Sequence, residues 1–252
     1  MKDNFSTQAE AYAKHRPTYP PALFEYIAGL VKHKKLAWDC GTGNGQSAFE
    51  LSKYFENVFA TDISQKQIDH AKKQQHITYA LEPAEKTSLA DASTDLITIS
   101  QALHWFKFEE FYREVKRVSA PGAMIAAWTY SLLHIDEATD AIIHQYHFNT
   151  LKDFWDEERK YVDSGYQTIP FPFKQLQTPA FHIEVNWGLQ ELEGYFYTWS
   201  ALQKFIAAKN EDPIPALMES IKHNWTATEV KKIIFPIHLK LAYVHDEFLQ
   251  DF

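Results

Sequence analysis

Short apolar runs alternate with longer amphipathic stretches along the first half of the chain. The runs are apolar throughout, which is typical of strands buried on both faces of a parallel sheet. They predict strands at 36–38, 58–61, 77–80, 96–99 and 123–128. Such strands, alternating with helices, indicate an α/β fold.

The stretches between the runs carry apolar residues at the three- and four-residue spacing of a helix. Ser64 stands where it can cap one of them, and Pro21 stands in the first turn of another, where proline is tolerated. These signals predict helices at 8–31 (two, separated by a turn), 46–55, 64–74, 108–118, 190–207 and 214–224.

The pattern changes after Tyr130. Residues 131–175 hold helical stretches, whereas 181–187 and 237–243 alternate apolar with polar residues. Alternation is typical of antiparallel or edge strands with one solvated face. We therefore expect a core at 1–130 with N-terminal helices, a helical insertion or lid at 131–175, and the remainder of the core, with the closing strands, at 176–252.

Composition and charge exclude several classes of protein. The length of 252 residues suits one elaborated domain, and the formal net charge of −8 lacks the basic footprint of a nucleic-acid binder. No apolar run reaches the ~18 residues of a membrane span, and the N-terminus has no signal-peptide core. Cys40 is the single cysteine, so an internal disulfide is excluded. We expect a cytoplasmic protein with no nucleic-acid or membrane partner.

Glycine is rare, at 8 residues, yet Gly41, Gly43 and Gly45 lie within five positions. They follow the first predicted strand, at the turn where ligands bind in open α/β sheets. Asp39 precedes the cluster, and Asp62 ends the next strand, 21 residues after Gly41. A carboxylate at that place can accept hydrogen bonds from both ribose hydroxyls. The arrangement predicts a nucleoside site, and the alternative is a tight turn whose glycines serve packing.

The spacing of the glycines distinguishes between nucleotides. Dinucleotide sites use G-x-G-x-x-G, whereas this chain has G-x-G-x-G followed by Gln46. Asp39 would repel a pyrophosphate and attract an ammonium group. The site therefore favours adenosine joined to an amino-acid group over NAD. An NAD-dependent oxidoreductase and a non-catalytic binding protein are the alternatives.

Five motifs together resemble those of class I S-adenosylmethionine (SAM) methyltransferases. The set is similar to the type 11 group that includes trans-aconitate methyltransferase-like proteins. The resemblance implies a Rossmann-like class I methyltransferase sheet, mostly parallel with an antiparallel closing strand and a helical insertion, and SAM as cofactor. The motifs are D-C-G-T-G-N-G-Q (39–46), F-A-T-D-I-S (59–64), P-A-E (83–85), D-L-I-T-I-S-Q-A-L-H-W-F (95–106) and F-x-x-x-A-x-x-Y-x-x-x-R-P-x-Y-P (5–20).

The resemblance also implies roles for individual residues. Asp39 would lie near the methionine ammonium, Asp62 would hold the ribose hydroxyls, and Glu85 would read the adenine edge. For Glu85 the alternative is a solvated loop charge, and for Ile63, implied to pack on the adenine, it is core packing. The other residues implied to contact the cofactor are Tyr12, Arg16, Gly41, Gly43, Ala84 and Gln101.

Methyl transfer from a sulfonium is an in-line displacement, for which the protein supplies alignment and a dry pocket. No metal is needed, and His144 and His147 lack a third ligand, so we expect a helix face there and no metal site. His104 follows the fourth predicted strand and is the candidate general base. A structural, hydrogen-bonded histidine is the alternative.

The acceptor site is less marked. Two of the four arginines share a solvated helix face, which leaves Arg16 and Arg159 as clamps for an anion or for the cofactor carboxylate. The candidate aromatic walls, with core packing as the alternative, are Trp155, Tyr161 and Tyr166 near Arg159, and less directly Trp128, Tyr130 and Trp199. We expect methylation of a small-molecule acceptor, and the resemblance implies O-methylation of a carboxylic acid.

Overall fold

Seven strands form a single sheet in the computed structural model, which describes residues 15–245. Every predicted strand is present. The last one begins at Lys231 rather than at 237, because its first residues pair with the preceding strand. The strands are β1 (Leu36–Cys40), β2 (Asn57–Asp62), β3 (Ile77–Leu81), β4 (Thr94–Ser100), β5 (Ser119–Tyr130), β6 (Phe181–Trp187) and β7 (Lys231–Tyr243).

The strands are arranged in the order β3-β2-β1-β4-β5-β7-β6. Strands β1 to β5 are parallel, and β7 runs antiparallel to both of its neighbours, β5 and β6. The fully apolar runs thus form the parallel part of the sheet, and the alternating runs form its antiparallel edge. The predicted Rossmann-like fold is confirmed.

Helices connect the strands and cover the sheet. Within residues 15–245, none of them is long and apolar enough to cross a bilayer. The first predicted N-terminal helix lies outside the described residues. Short 3-10 turns occur at Leu103–Trp105 and Lys152–Phe154, and a π-helical turn at Tyr146–Thr150. The helices are α1 (Pro21–Leu30), α2 (Gln46–Leu51), α3 (Gln65–Asp69), α4 (Phe108–Val118), α5 (Glu137–Gln145), α6 (Arg159–Asp163), α7 (Leu189–Tyr197), α8 (Ser200–Lys209) and α9 (Ile214–Lys222).

The single helix predicted at 190–207 is wrong, because the segment forms two helices, α7 and α8. Trp199, between them, has an extended backbone (φ −77°, ψ 125°), so the helical path stops there. Its indole is buried against the rings of Tyr195 and Phe196, with centroids at 5.9 and 5.1 Å. Tertiary packing of this ring overrides the helical periodicity of the segment.

Apolar side chains bury both faces of the sheet. Along β5, Met124 and Trp128 enter one core cluster, and Ile125 and Ala127 enter the other, because successive side chains of a strand face opposite ways. Helix α1 packs in the first core and α4 in the second. The segment between β5 and β6 contributes to both cores, so it is packed against the sheet rather than separate from it.

The winding of the sheet reverses between β1 and β4. The chain passes from β1 to β2 on one side, and from β4 to β5 on the other. The carboxyl ends of β1 and β4 therefore flank a crevice, which is where ligands of open α/β sheets bind. Gly41 follows β1 and Gln101 follows β4, so the fold brings these two candidate residues to the same crevice.

Candidate active site

A cavity of about 840 Å³ opens at this crevice, and we call it the first cavity. Three segments that the sequence analysis singled out form much of its wall: the glycine loop, the end of β2 and the residues after β4. The predicted cofactor residues on this wall are Arg16, Gly41, Gly43, Asp62, Ile63 and Gln101.

The glycine loop presents backbone to the first cavity. Gly41 has a φ of +67°, and a Cβ built on it would lie 2.6 Å from the Cβ of Ala102. Only glycine combines that left-handed conformation with so close an approach to the turn after β4. Gly43, at φ +55°, donates its N–H to Oδ2 of Asp62 at 2.8 Å. The loop and the end of β2 are therefore locked together.

The Asp62 carboxylate is held in one orientation. Its Oδ2 accepts from Gly43 and its Oδ1 accepts from the N–H of Ser64 at 2.9 Å. A carboxylate accepts through both oxygens, so these two bonds fix its orientation. Ile63 is half-buried on the same wall and belongs to neither core cluster. The carboxylate and the apolar side chain form a polar and an apolar patch side by side.

Asp39 is fully buried beneath the loop and does not line the cavity. Its two oxygens accept from the hydroxyls of Thr42 at 2.5 Å and Thr98 at 2.8 Å, and Thr42 lines the cavity. Burial raises the pKa of Asp39 from 3.8 to about 6, and the hydroxyl bonds oppose that rise. No cation pairs with Asp39 within the described chain, so its negative charge lies uncompensated beneath the glycine loop.

The two residues implied to read the adenine edge line neither this cavity nor the second one described below. Ala84 is 3% exposed and packs in the second core cluster. Oε1 of Glu85 accepts from the N–H of Lys107 at 3.0 Å, at the start of α4. A carboxylate at a helix N-terminus is stabilised by the helix dipole. Glu85 is thus a half-buried residue of the loop after β3, and its carboxylate is tied to the start of α4.

A second cavity, of about 620 Å³, adjoins the first. The two share Arg16, Gln101, Trp105 and Tyr130. Gln101 has a left-handed backbone (φ +55°), which is uncommon for a residue with a Cβ and typical of functional turns. Three predicted residues appear only on the second wall, namely His104, Trp155 and Arg159.

Arg159 is held by contacts with Asp163 and Trp155, and both of these residues contact His147. Its Nε donates to Oδ1 of Asp163 at 2.8 Å, and its guanidinium lies 4.5 Å from the centre of a Trp155 ring. Nε2 of His147 lies 3.3 Å from the same Asp163 oxygen, and the indole N–H of Trp155 donates to the His147 carbonyl at 3.1 Å. His147 lies in the π-helical turn after α5, and its side chain is fully buried.

Arg16 joins the N-terminal segment to the sheet. Its Nη1 donates to the Tyr130 hydroxyl at 2.7 Å, and Nη2 donates to the Thr198 carbonyl at 3.3 Å. The guanidinium also lies 5.3 Å from the centre of the Tyr195 ring. It thus carries positive charge to the boundary between the two cavities. Tyr12, its predicted companion, lies outside the described residues.

His104 is 7% exposed on the wall of the second cavity. Its Nδ1 lies 2.9 Å from the hydroxyl oxygen of Tyr166. Burial, and then the charge of Arg159, lower the pKa of His104 from 6.5 to about 3. The imidazole is therefore neutral and a weak base at neutral pH.

The prediction that Trp128 walls the acceptor pocket is wrong. Its side chain is fully buried and lines neither cavity. It packs edge-on against Tyr19 and Phe24, at centroid distances of 5.6 and 5.8 Å. Trp199 likewise lies in the first core cluster and not on a cavity wall, whereas Tyr130 lines both cavities.

Sequence reasoning missed several wall residues. Tyr19 and Trp105 stand inside motifs that were quoted for the resemblance, so their positions could have been found there. Tyr195 lies far along the chain from the motifs, and no spacing or composition marks it. It reaches the second cavity because α7 packs against the sheet. Tyr166, a candidate wall aromatic near Arg159, is fully buried and lines neither cavity.

Comparison with known proteins agrees with this geometry. A family described as methyltransferase domain matches residues 38–127. A Dictyostelium discoideum protein described as a methyltransferase is 34% identical over 248 residues, which are 95% of this chain and 94% of that protein. A Saccharomyces cerevisiae protein described as a SAM-dependent methyltransferase is 24% identical over 66% of this chain and 59% of its own length.

A solved structure shares the whole architecture. It comes from Anaeromyxobacter dehalogenans and is described as a type II methyltransferase. The two chains are 36% identical in sequence, and they superimpose with a TM-score of 0.85. The matched region includes 91% of this chain and 98% of the Anaeromyxobacter chain.

Proposed function

The chain belongs to the class I SAM-dependent methyltransferases, and from that premise we propose that it methylates a carboxylate oxygen of a small molecule. We place the acceptor in the second cavity, and we propose that the reaction resembles that of the trans-aconitate methyltransferase-like group. The observation that carries the proposal is the position of Arg159 on the wall of a cavity that shares four residues with the first.

The residues of the first cavity fit the cofactor. Asp62 would receive the ribose hydroxyls, Ile63 would contact the adenine, and the backbone of Gly41 and Gly43 would pass beneath the nucleoside. When bound, SAM supplies a methyl group on a sulfonium, so that a C–O bond forms as the C–S bond breaks and sulfur keeps the electron pair. Gln101, on both walls, would stand where the methyl group passes between the cavities.

Arg159 supplies the charge for an anionic acceptor. Asp163 engages its Nε, and Trp155 supports the face of the guanidinium. Among the described residues, no hydrogen-bond partner occupies its two terminal nitrogens. A guanidinium fixed in this way offers a planar fork that matches a carboxylate bidentately. An acceptor held there by one carboxylate would be oriented as well as bound.

The rest of the second cavity suits a reaction that needs no base. A carboxylate is already deprotonated at neutral pH and releases no proton when it is methylated. The neutral, weakly basic state of His104 is consistent with such an acceptor. The aromatic rings of Trp105, Tyr130, Trp155 and Tyr195 would keep water from the transfer. The insertion at 131–175, which supplies Trp155 and Arg159, would act as part of a lid.

The proposal is tested by assaying methyl transfer to a panel of small di- and tricarboxylic acids and to their neutral amides. We expect turnover on acids only. In Arg159→Met the KM for the acid should rise about tenfold or more, the range for loss of a charge-assisted hydrogen bond. Affinity for S-adenosylhomocysteine, measured by calorimetry, should stay within about twofold, since Arg159 does not line the first cavity.

Two further variants serve as controls. Asp62→Ala should abolish calorimetric binding of S-adenosylhomocysteine, whereas Arg113→Met, at an exposed position of α4, should change neither quantity. Equal turnover on acids and amides, or an unchanged KM in Arg159→Met, would contradict the carboxylate assignment. Unchanged cofactor affinity in Asp62→Ala would contradict the placement of the nucleoside.

A further inference from the structure

Tyr166 occupies an unusual place at the end of α6. Its backbone has a φ of +60°, and Gly165 before it has a φ of +58°. The Tyr166 N–H donates to the Tyr161 carbonyl at 2.7 Å, and the Gly165 N–H donates to the Val162 carbonyl at 2.9 Å. Two left-handed residues in succession turn the chain inward, and the Tyr166 side chain is fully buried. A left-handed conformation is costly for tyrosine, and such strain is concentrated at functional sites.

The turn delivers the Tyr166 hydroxyl to His104. Its oxygen lies 2.9 Å from Nδ1 of the imidazole. Burial raises the pKa of Tyr166 far above its ordinary value, so the phenol keeps its proton. The Thr129 hydroxyl donates to Oε1 of Gln101 at 2.5 Å and makes no hydrogen bond with Tyr166; among the described residues, His104 is the only hydrogen-bond partner of the phenol. Nδ1 of His104 is the acceptor to which the structure directs the phenol proton.

The direction of this hydrogen bond decides the tautomer of His104. If Nδ1 accepts, the single proton of the neutral ring must lie on Nε2. The opposite arrangement would leave a buried phenol proton without an acceptor, which is unfavourable. In the described chain no hydrogen-bond partner occupies Nε2, and His104 lines the second cavity.

We propose that Tyr166 is a positioning residue that fixes His104 as the Nε2–H tautomer, so that His104 donates a hydrogen bond to an oxygen of the acceptor. The proposal rests on the proposed function for the identity of that oxygen. An Nε2 that carries the proton has no lone pair, so His104 serves as a donor and not as the general base that the sequence suggested. The second cavity then offers a charged fork at Arg159 and a neutral donor at His104, a pair that selects acceptors with an oxygen beside the carboxylate.

The tautomer is measured directly by long-range ¹H–¹⁵N correlation spectra of the full chain labelled with ¹⁵N-histidine. The His104 signals are identified by their absence in His104→Asn. At pH 7, without cofactor or acceptor, the wild-type protein should show a protonated Nε2 and an unprotonated Nδ1. In Tyr166→Phe, which keeps the ring, this bias should be lost, and KM for the acid of the panel above should rise about threefold to tenfold with a smaller change in kcat.

Tyr112→Phe is the matched control. Its hydroxyl is also buried and donates to the Pro170 carbonyl at 2.6 Å, and Tyr112 lines neither cavity. It should lower Tm and leave both the His104 spectrum and KM unchanged. A wild-type spectrum with the proton on Nδ1, or a wild-type KM in Tyr166→Phe, would overturn the proposal. Because the spectrum needs no turnover, a failure of the carboxylate assignment leaves the tautomer result standing, and the two failures are distinguishable.

Discussion

At the scale of single residues, the charge of Asp39 is one that a cation bound nearby would compensate. The carboxylate is fully buried and has no cationic partner in the part of the chain that is described. Its oxygens are held by Thr42 and Thr98, and Thr42 separates it from the cavity. An ammonium group bound above Thr42 would compensate this buried charge, because charges interact strongly in a low dielectric.

This predicts a pH dependence of cofactor affinity. The folded pKa of Asp39, about 6, exceeds the ordinary 3.8, so the folded chain holds an extra proton between those values. The contribution of Asp39 to stability is therefore full below about pH 4 and is lost as the pH rises through about 6. A bound cation favours the ionised form, so affinity for S-adenosylhomocysteine should rise from pH 5 to about 6.5 and then level off.

Calorimetry across pH 5 to 7.5, in two buffers of different ionisation enthalpy, measures both the affinity and the proton released. Asp39→Asn removes the titrating group and should flatten the profile. An affinity that is flat with pH in the wild-type chain would show that Asp39 does not sense the ligand.

At the scale of elements, two irregular backbone segments position residues of the candidate site. The π-helical turn Tyr146–Thr150 puts the buried His147 against Asp163, which in turn holds Arg159. π-helical turns are rare and occur frequently at functional sites. The glycine loop between β1 and α2 is the other, because it lets backbone stand where side chains would fill the cavity.

Gly41→Ala tests the glycine loop. The left-handed conformation costs a residue with a Cβ ~1–2 kcal/mol, and overpacking against Ala102 costs about 1–3 kcal/mol. Chemical denaturation should show a loss of about 2–5 kcal/mol, together with weaker binding of S-adenosylhomocysteine. Gly29→Ala, at an exposed position of α1, is the control, because nothing lies within 4 Å of the added Cβ. This variant should raise the free energy of unfolding by about 0.5–1 kcal/mol. Equal effects at both positions would refute the close approach.

At the scale of the whole molecule, the two cavities meet where the parallel strands end and the insertion packs over them. Arg16 and Tyr130, hydrogen-bonded to each other, stand on both walls. Elements from the N-terminal segment, the sheet and α7 converge on this boundary through Arg16, Tyr130 and Tyr195. A ligand in the first cavity would therefore contact segments that are distant in sequence, and its binding should stabilise the fold as a unit.

Thermal unfolding measures how much a bound ligand stabilises the fold. A ligand at 100 times its Kd stabilises the folded state by about 2.7 kcal/mol. At roughly 2–4 °C per kcal/mol for a chain of this size, S-adenosylhomocysteine should raise Tm by about 5–10 °C. NAD at the same concentration should leave Tm unchanged, because Asp39 and the glycine spacing disfavour a pyrophosphate. A comparable shift with NAD would contradict the cofactor specificity.

The loop residues of the first cavity could be predicted from the sequence, because each group of them lies within one short contiguous motif. Gly41, Gly43 and Ile63 follow strand ends, and their motifs specify both the backbone turn and the residue types within a few positions. The parallel sheet with an antiparallel edge was predictable for the same reason, since burial on both faces gives a continuous apolar run and burial on one face gives alternation.

Only the tertiary structure decided which side chains share a wall. Trp128 and Tyr130 are two apart on β5 and enter the same face, yet Tyr19 and Phe24 cover the first and the cavity reaches only the second. The Glu85 carboxylate is bonded to the start of α4, and Tyr195 lines the second cavity although no motif marks its segment. Side-chain direction in a strand follows from local geometry, but the neighbour that each side chain meets depends on how distant elements pack, and that packing is a property of the whole fold.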